Sequence, residues 1–293
     1  MKPVAFEYCR PDTLGEALDL LAERREEAAV LAGGMSLGPM LNLRMVRPRR
    51  VIDISRLAGL NGIELRGARV VTGATVVQAD ALDSEVIRKE LPLLALALPW
   101  VGHFQTRNSG TLGGSVAHAD PSAEIPLCLV VSDAIVVLRG KRGERRVRAR
   151  EFFTGALSTV RRPDELLVAL DWPRAAPDAG HAFEEIAQRH GDFAIAAAAC
   201  EIALDRGGNI SRMSLGLGGV ADRPMVADTA AYLRRPADAE TAAACAHYIC
   251  DAVDPMEDHS ASADYRRALA RVLAERVILR AAADARSKQA GGA

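Results

Sequence analysis

Two pairs of adjacent glycines are the residues of this chain best suited to holding a charged ligand. The first pair lies in Ala32-Gly33-Gly34-Met35-Ser36, and the second lies about 80 positions further on, in Thr111-Leu112-Gly113-Gly114-Ser115. Glycine reaches backbone angles that are closed to other residues, and it has no side chain to keep a ligand away. Because consecutive N–H groups in such a turn can converge on an anion, each segment is a candidate phosphate-binding loop.

The surroundings of the two segments indicate a single ligand with two phosphates. Apolar residues precede each pair, and a helix is expected to begin after each, which adds the positive end of a helix dipole. Two such loops from distant parts of one chain suit a diphosphate that is held from both sides, as in a dinucleotide cofactor. The Gly-x-Gly-x-x-Gly fingerprint of a Rossmann NAD site does not follow the first predicted strand, so that kind of site is disfavoured.

Composition places the chain among ordinary globular proteins with more than one domain. It has 293 residues, of which 49% are hydrophobic and 26% charged. The net charge of −1, from 37 basic and 38 acidic residues, gives no support for nucleic-acid binding or a membrane surface. The longest apolar run, 91–102, contains two prolines and is too short to span a bilayer. We therefore expect no signal peptide, no membrane insertion and no nucleic-acid partner.

The cysteines of the chain are interpreted as free thiols. They are five in number and scattered, without the spacing of a zinc or iron–sulfur site. Buried, reduced cysteines fit a cytoplasmic protein best. The five are Cys9, Cys128, Cys200, Cys245 and Cys250.

Hydrophobic periodicity predicts the elements that position the two glycine segments. A first α/β unit covers residues 1–54, in which Thr13 is a candidate N-cap for the first helix. A second unit follows over 55–175, and a cluster of Pro, Ala, Asp and Gly near 173–180 predicts a domain boundary. The second unit is expected to contain a hairpin over 63–72, helices near 76–90 and 92–101, and a solvated basic hairpin over 139–150.

The last part of the chain is predicted to be a sheet covered by helices. Two strands, 194–204 and 210–217, flank a glycine-rich turn, and the alanine run 196–199 indicates a closely packed surface. Glu184 and Glu185 are interpreted as a solvated strand edge rather than as acid–base carboxylates. Two helices are expected over 237–252 and 262–283, followed by a frayed polar tail.

The longer run around the second glycine pair resembles a known family. Residues 101–121, with Arg107-Asn108 ahead of Thr111-Leu112-Gly113-Gly114-Ser115, resemble the FAD-binding medium subunit of molybdenum hydroxylases. This is the family of carbon monoxide dehydrogenase and xanthine dehydrogenase. The likeness extends to the first glycine segment and, in the same order, to 165–167, 189–194 and 265–267.

The resemblance implies an α+β fold in three parts. Residues 1–175 would form a two-part FAD-binding domain of the vanillyl-alcohol-oxidase type, divided at about residue 54. Residues 178–285 would form a sheet-plus-helices domain of the carbon monoxide dehydrogenase flavoprotein C-terminal type. Residues 286–293 would be a tail.

The resemblance also implies which residues hold the flavin. The two glycine segments would bind the diphosphate, two carboxylates would accept from ribityl and ribose hydroxyls, and two residues of the second domain would approach the flavin ring. Met35 and Ser115 depart from the family, which usually has His, Thr or Gln at the first position and Asn at the second. The implied set is Ala32, Gly33, Gly34, Met35, Ser36, Leu37, Thr111, Gly113, Gly114, Ser115, Asp120, Glu124, Asp192 and Phe193.

The resemblance implies an oxidoreductase that works as one subunit of a larger enzyme. FAD on this chain would take electrons from [2Fe–2S] clusters of a small iron–sulfur subunit and pass them to an external acceptor. A large subunit would carry the molybdenum cofactor, in a dimer of heterotrimers. Neither a metal site nor an essential protein acid or base is expected on this chain, because the cofactor does the chemistry.

Two other functions are compatible with the same residues. A free-standing FAD-dependent oxidase would act on its own small organic substrate and needs a base above the flavin ring. A scaffold protein that has lost its flavin would keep the fold alone. Four further side chains receive structural interpretations. His103 and His118 are interpreted as hydrogen-bonded structure rather than metal ligands, and Arg107 and Asn108 as organisers of the loop backbone.

Overall fold

The first unit is a small parallel sheet with one helix packed on it. In the computed structural model, which describes residues 1–291, the strands lie in the order β1-β3-β2. The predicted N-cap is confirmed, because the Thr13 hydroxyl accepts from the Glu16 N–H. Leu18 and Leu21 of the first helix pack with Ile52 of the sheet. The elements are β1 (Glu7–Cys9), α1 (Leu14–Arg24), β2 (Ala28–Leu31), α2 (Leu37–Asn42) and β3 (Arg50–Asp53).

The second unit is a five-stranded antiparallel sheet in the order β4-β5-β10-β6-β7. The predicted hairpin is confirmed, with Ile63 opposite Thr72. Its elements are β4 (Ile63–Arg66), β5 (Arg69–Gly73), α3 (Gln78–Asp83), α4 (Glu85–Glu90), α5 (Pro92–Ala97), α6 (Phe104–Arg107), α7 (Leu112–His118), α8 (Glu124–Val131), β6 (Ile135–Gly140), β7 (Gly143–Arg148), α9 (Ala149–Phe152), β8 (Phe153–Gly155), β9 (Ser158–Thr159) and β10 (Leu166–Pro173).

Two details of this unit differ from the sequence prediction. The single helix expected over 76–90 is two helices, because Ser84 ends α3 and its hydroxyl accepts the Ile87 N–H to cap α4. The basic hairpin is present, but its arginines are not all simply solvated. Arg145 donates to Glu165 at 2.9 and 2.6 Å, and Arg146 pairs with the buried Asp171.

The third unit is a four-stranded antiparallel sheet with helices on one face. Its strand order is β11-β12-β13-β14, and α11 packs along β11 and β12. The alanine run 196–199 is almost fully buried, which confirms the predicted close packing. The elements are β11 (Gly180–Ile186), β12 (Ala196–Leu204), β13 (Ile210–Gly218), β14 (Met225–Val226), α10 (Ala239–Asp251) and α11 (Ala263–Gly291).

The last helix continues beyond its predicted end. The expectation of a frayed tail after residue 283 is wrong for the described residues, because α11 runs to Gly291. Three of its late side chains donate to carbonyls elsewhere in the third unit: Arg286 to Ala237, Lys288 to Ala179 and Gln289 to Leu204. Residues 292–293 of the predicted tail lie outside the described chain. No helix within residues 1–291 is both long and apolar enough to cross a membrane.

The opposite face of the third sheet lies on the second unit. Helix α5 packs against β11, and α8 packs against β12 and β13. The approach is close at Gly216, where an added Cβ would lie 2.4 Å from the side chain of Val131. One hydrophobic cluster runs through this contact and includes Leu127 of α8 and Ala199 of β12. We call this contact between α5, α8 and the third sheet the domain seam.

Arg266 of α11 joins three segments of the third unit at one end of its sheet. Its guanidinium is buried and donates to the carbonyls of Ile195 at 2.6 Å and Gly219 at 3.0 Å. It also pairs with Asp258 at 2.8 Å. Loss of the guanidinium would leave two buried carbonyls without a donor, which costs far more than loss of an exposed ion pair.

We therefore expect Arg266→Met to lower the free energy of unfolding by about 3 kcal/mol. The matched control is Arg267→Met, since Arg267 pairs with the exposed Asp264 and should cost about 0.5 kcal/mol. Urea denaturation of the full chain measures both values. Equal losses in the two variants would contradict the role assigned to Arg266.

Candidate functional site

The two glycine segments meet in the folded chain. A Cβ built on Gly33 would lie 2.0 Å from the carbonyl oxygen of Ser109 and 2.8 Å from the Cα of Gly110. The backbone of the first segment therefore lies directly against the residues that lead into the second. Sequence reasoning predicted this meeting from the two glycine pairs, but it assigned no role to Ser109 and Gly110. The sequence feature that could have indicated their role is Gly110, a third glycine directly before the second segment.

The first segment offers unused hydrogen-bond donors. Within residues 1–291, the backbone N–H groups of Gly33, Gly34, Met35 and Ser36 donate to no protein acceptor. Gly34 has a φ of +73°, a left-handed conformation that other residues rarely adopt. Since buried or half-buried N–H groups are nearly always paired, a run of four free donors indicates an anionic ligand.

The second segment differs, because its donors are used inside the protein. Gly113 donates to the Ala74 carbonyl, Gly114 to the Thr111 hydroxyl at 3.0 Å, and Ser115 to the Thr111 carbonyl. The prediction of free donors in both segments is therefore wrong for 113–115. These glycines provide close packing instead, since a Cβ on Gly113 would lie 2.6 Å from the Cα of Ala74.

Two acidic residues follow the second segment. Ala119 ends α7 in a left-handed conformation, and the Asp120 carboxylate then accepts the Ser122 N–H at 2.8 Å. Glu124 is the first residue of α8 and is only 6% exposed. Burial, together with the nearby charge of Asp120, raises the pKa of Glu124 to about 7. Near neutral pH this carboxyl group can therefore either accept a hydrogen bond or hold a proton.

The loop between β11 and β12 carries the two predicted ring-side residues, Asp192 and Phe193. Phe193 is 66% exposed, although it is a large aromatic side chain. The loop is anchored to the second unit, because the His190 ring stacks on Trp100 with centroids 5.3 Å apart. Gly191 fits closely there, with a φ of +90° and an added Cβ only 2.6 Å from the His103 Nδ1. Sequence reasoning missed this anchor.

The residues before the second segment have the structural roles predicted for them. The Arg107 guanidinium donates to the carbonyls of Val101 and Gly102, and the Asn108 amide donates to the Phe104 carbonyl. Among the described residues, 1–291, no three His, Cys, Asp or Glu side chains lie close enough together to hold a metal ion.

Family comparison covers nearly the whole chain. Residues 4–175 match the FAD binding domain in molybdopterin dehydrogenase, and residues 181–281 match the CO dehydrogenase flavoprotein C-terminal domain. This chain is a FAD-binding medium subunit of the molybdenum hydroxylase family. It is accordingly a subunit of an oxidoreductase.

Relatives of this FAD subunit are similar along their full length. It is 37% identical to the 6-hydroxypseudooxynicotine dehydrogenase complex subunit alpha of Paenarthrobacter nicotinovorans, over 96% of each chain. It is 38% identical to the caffeine dehydrogenase subunit beta of Pseudomonas sp. strain CBB1, again over 96% of each chain. A carbon monoxide dehydrogenase structure from Hydrogenophaga pseudoflava superposes with a TM-score of 0.94 at 36% identity, covering 97% of this chain and 99% of that one.

The geometry of the first glycine segment fits FAD. A diphosphate needs several converging donors, and residues 33–36 offer four consecutive N–H groups that have no protein acceptor. The contact of Gly33 with Ser109 holds those donors against the second segment. The fit therefore rests on backbone groups, which the Met35 and Ser115 departures leave in place.

We expect Gly33→Ala to weaken FAD binding by about 10- to 100-fold, because an extra methyl group in a tight contact costs about 1–3 kcal/mol and would push the segments apart. Gly38→Ala is the matched control, since nothing lies within 4 Å of an added Cβ there. Titration of the apo chain with FAD, followed by flavin fluorescence, gives both affinities. Unchanged affinity in the Gly33 variant would show that the contact does not organise the site.

Proposed function

We propose that this chain is the FAD-carrying electron-transfer subunit of a heterotrimeric molybdenum hydroxylase. It would receive electrons from [2Fe–2S] clusters on a small partner subunit and deliver them to an external acceptor. A large partner would hold the molybdenum cofactor. The observation that carries the proposal is the contact of Gly33 with Ser109, which sets four unused donors at the junction of two distant segments.

The proposed FAD contacts divide by chemistry. The first segment, 32–37, would bind the diphosphate through its free N–H groups. The second segment, Thr111 with 113–115, would shape the floor of the site, because its own donors are already used. Asp120 and Glu124 would accept from hydroxyls of the cofactor. Asp192 and Phe193 would border the flavin ring, where an exposed aromatic side chain can pack on a planar ligand.

The work of the protein is to bind and insulate the cofactor. FAD, when bound, supplies reversible electron transfer in steps of one or two electrons. The side chains proposed for the site include hydrogen-bond acceptors and an aromatic surface, which orient a flavin. The Trp100–His190 stack holds the ring-side loop in place and so helps to exclude water from that side.

The substrate of the complex would be selected by another subunit. Chains named for 6-hydroxypseudooxynicotine, caffeine and carbon monoxide dehydrogenases are 37%, 38% and 35% identical to this one. Similar chains thus serve enzymes that are named for three unrelated substrates. We infer that this subunit carries out the electron-transfer step that these enzymes have in common, and that it does not recognise the substrate.

Exposed apolar side chains support a partner surface beside the site. Phe104, at the start of α6, is 71% exposed, and Phe193, on the β11–β12 loop, is 66% exposed. The His103–Gly191 contact brings these two parts of the chain together. Large exposed hydrophobic side chains grouped in this way are typical of protein interfaces. We place the complex, as a dimer of heterotrimers, in the cytoplasm, which fits the five free cysteines.

Flavin reconstitution tests the binding half of the proposal. The purified chain should take up FAD and turn yellow, and it should bind FMN about 100-fold more weakly. FMN has one phosphate and would lose two or more hydrogen bonds worth about 1.5 kcal/mol each. Absorbance spectra and titration with each flavin measure this. Equal affinity for FMN would contradict diphosphate recognition, and refusal of both flavins would favour a scaffold that has lost its cofactor.

Affinity purification from the native host tests the electron-transfer half. The tagged chain should recover an iron–sulfur protein together with a larger molybdenum protein, detected by metal analysis of the eluate. The control is the same chain carrying Phe193→Ser and Phe104→Ser, which should recover less of both. Recovery of the chain alone, with turnover of an alcohol or amine by the isolated protein, would favour a free-standing oxidase instead.

A further inference from the structure

Two buried glutamate residues lie in the domain seam. Glu124 begins α8 and is 6% exposed, and Glu185 lies near the end of β11 and is 3% exposed. The predicted solvated edge is therefore wrong for both Glu184 and Glu185, because α11 covers one face of this edge strand and α5 covers the face that carries Glu185. Glu184, on the other face, is also buried but pairs with Arg276 and Arg280 of α11 at 3.0 Å.

The sheet register places Glu185 beside the start of α8. Glu185 is opposite Ala197 on β12, and Ala197 is opposite Gly218 on β13. An added Cβ on Gly218 would lie 3.5 Å from the carbonyl oxygen of Pro121, three residues before Glu124. Ala197 and Gly218, which separate Glu185 from that carbonyl across the sheet, are small, so the register places Glu185 beside the segment that leads into Glu124. The charge of Glu124 accordingly contributes to raising the pKa of Glu185.

Nothing in the seam neutralises a second negative charge. Within residues 1–291, both carboxyl oxygens of Glu185 are buried without a hydrogen-bond partner. Helix α5 brings only apolar residues, and the adjacent strands bring Ala197 and Gly218. The titratable groups on the α8 side are Asp120, Glu124 and the buried thiol of Cys128.

The remaining charged groups of this sheet face lie at its other end. His181 sits 3.7 Å from Glu201, and Glu201 pairs with Arg212 at 2.9 Å. These residues balance one another and are four or more positions along the strands from the pair. No basic side chain of the described chain forms an ion pair with Glu124 or Glu185.

The two carboxyl groups are not equivalent. Glu124 lies at the N-terminus of α8, where backbone N–H groups stabilise a negative charge, and its own N–H lowers its pKa in part. Glu185 has no donor at all. Burial and the charge of Glu124 raise the pKa of Glu185 to about 9, above the value of about 7 for Glu124.

We propose that Glu124 and Glu185 form a carboxyl pair in the domain seam that holds one proton at pH 8, with the proton on Glu185. Glu124 is thereby left as the carboxylate at the edge of the candidate flavin site. The pair differs from an ordinary buried ion pair, since the proton takes the place of a cation. This inference concerns the apo chain and does not depend on flavin binding.

The proton makes the stability of the chain depend on pH. Glu185 has a pKa near 4.5 when unfolded and about 9 when folded, so unfolding between these values releases its proton. Stability from this group is complete below pH 4.5 and is lost as the pH rises towards 9. From pH 6 to pH 8, the unfolding equilibrium constant should rise about 100-fold more in the wild type than in Glu185→Gln, because one proton per molecule gives a tenfold change per pH unit.

Urea unfolding of the full chain at pH 6, 7 and 8 measures this difference. Glu185→Gln keeps the shape and neutrality of the protonated acid, so we expect it to fold. Glu184→Gln is the matched control: loss of its arginine pairs should lower stability by a similar factor at each pH. The same pH slope in the wild type and in Glu185→Gln would overturn the proposal.

Infrared difference spectroscopy identifies the proton directly and does not rely on unfolding. At pH 8 the wild type should show a protonated carboxyl band that is nearly absent from Glu185→Gln and that Glu184→Gln retains. In Glu124→Gln this band should disappear at a lower pH than in the wild type, because the neighbouring charge is gone. A band absent from the wild type at pH 8, or unmoved by the Glu124 substitution, would refute the pairing.

Discussion

The contact between Gly33 and the backbone of Ser109 and Gly110 is the constraint on which the candidate site depends. Two segments that are distant in sequence, one after β2 and the other between α6 and α7, approach until no Cβ fits between them. The missing side chain at position 33 permits this approach, which sets the free donors of the first segment beside the residues that lead into the second.

The two glycine pairs look alike in sequence but contribute differently. The N–H groups of the first pair have no protein acceptor. In the second pair, Gly113 donates to the Ala74 carbonyl and Gly114 donates to the Thr111 hydroxyl that caps α7. A glycine pair is thus compatible with either a ligand site or a close backbone crossing. Here both uses occur in one protein: the first pair offers free donors, and Gly113 of the second lets the chain pass directly against Ala74.

Local patterns predicted much of the fold, and long-range packing accounts for the errors. The Thr13 cap and the hairpin at Ile63 depend on neighbouring residues, which the sequence displays directly. The burial of Glu185 depends on α5, which is about 90 positions away, and no local pattern reveals that helix. The length of α11 likewise depends on distant carbonyls that accept from its last side chains.

The candidate site likewise combines features that local sequence predicts with features that depend on long-range contacts. The glycine pairs and the run around them indicated a diphosphate-binding flavin subunit, since those residues are contiguous. The division of labour between the pairs was not predictable, because it depends on where each N–H finds an acceptor. The stack of His190 on Trp100 was also missed, since neither residue belongs to a glycine motif.

The ring-side loop is part of the third unit in sequence, but its side-chain contacts are with the second unit. It joins two strands of the third sheet, yet Trp100 and His103 of the second unit hold it. A chimaera that exchanged only the C-terminal unit between relatives would therefore separate the loop from its support. Segments 100–107 and 187–193 are in direct contact and form one structural module, so they should be exchanged together or left together when such subunits are recombined.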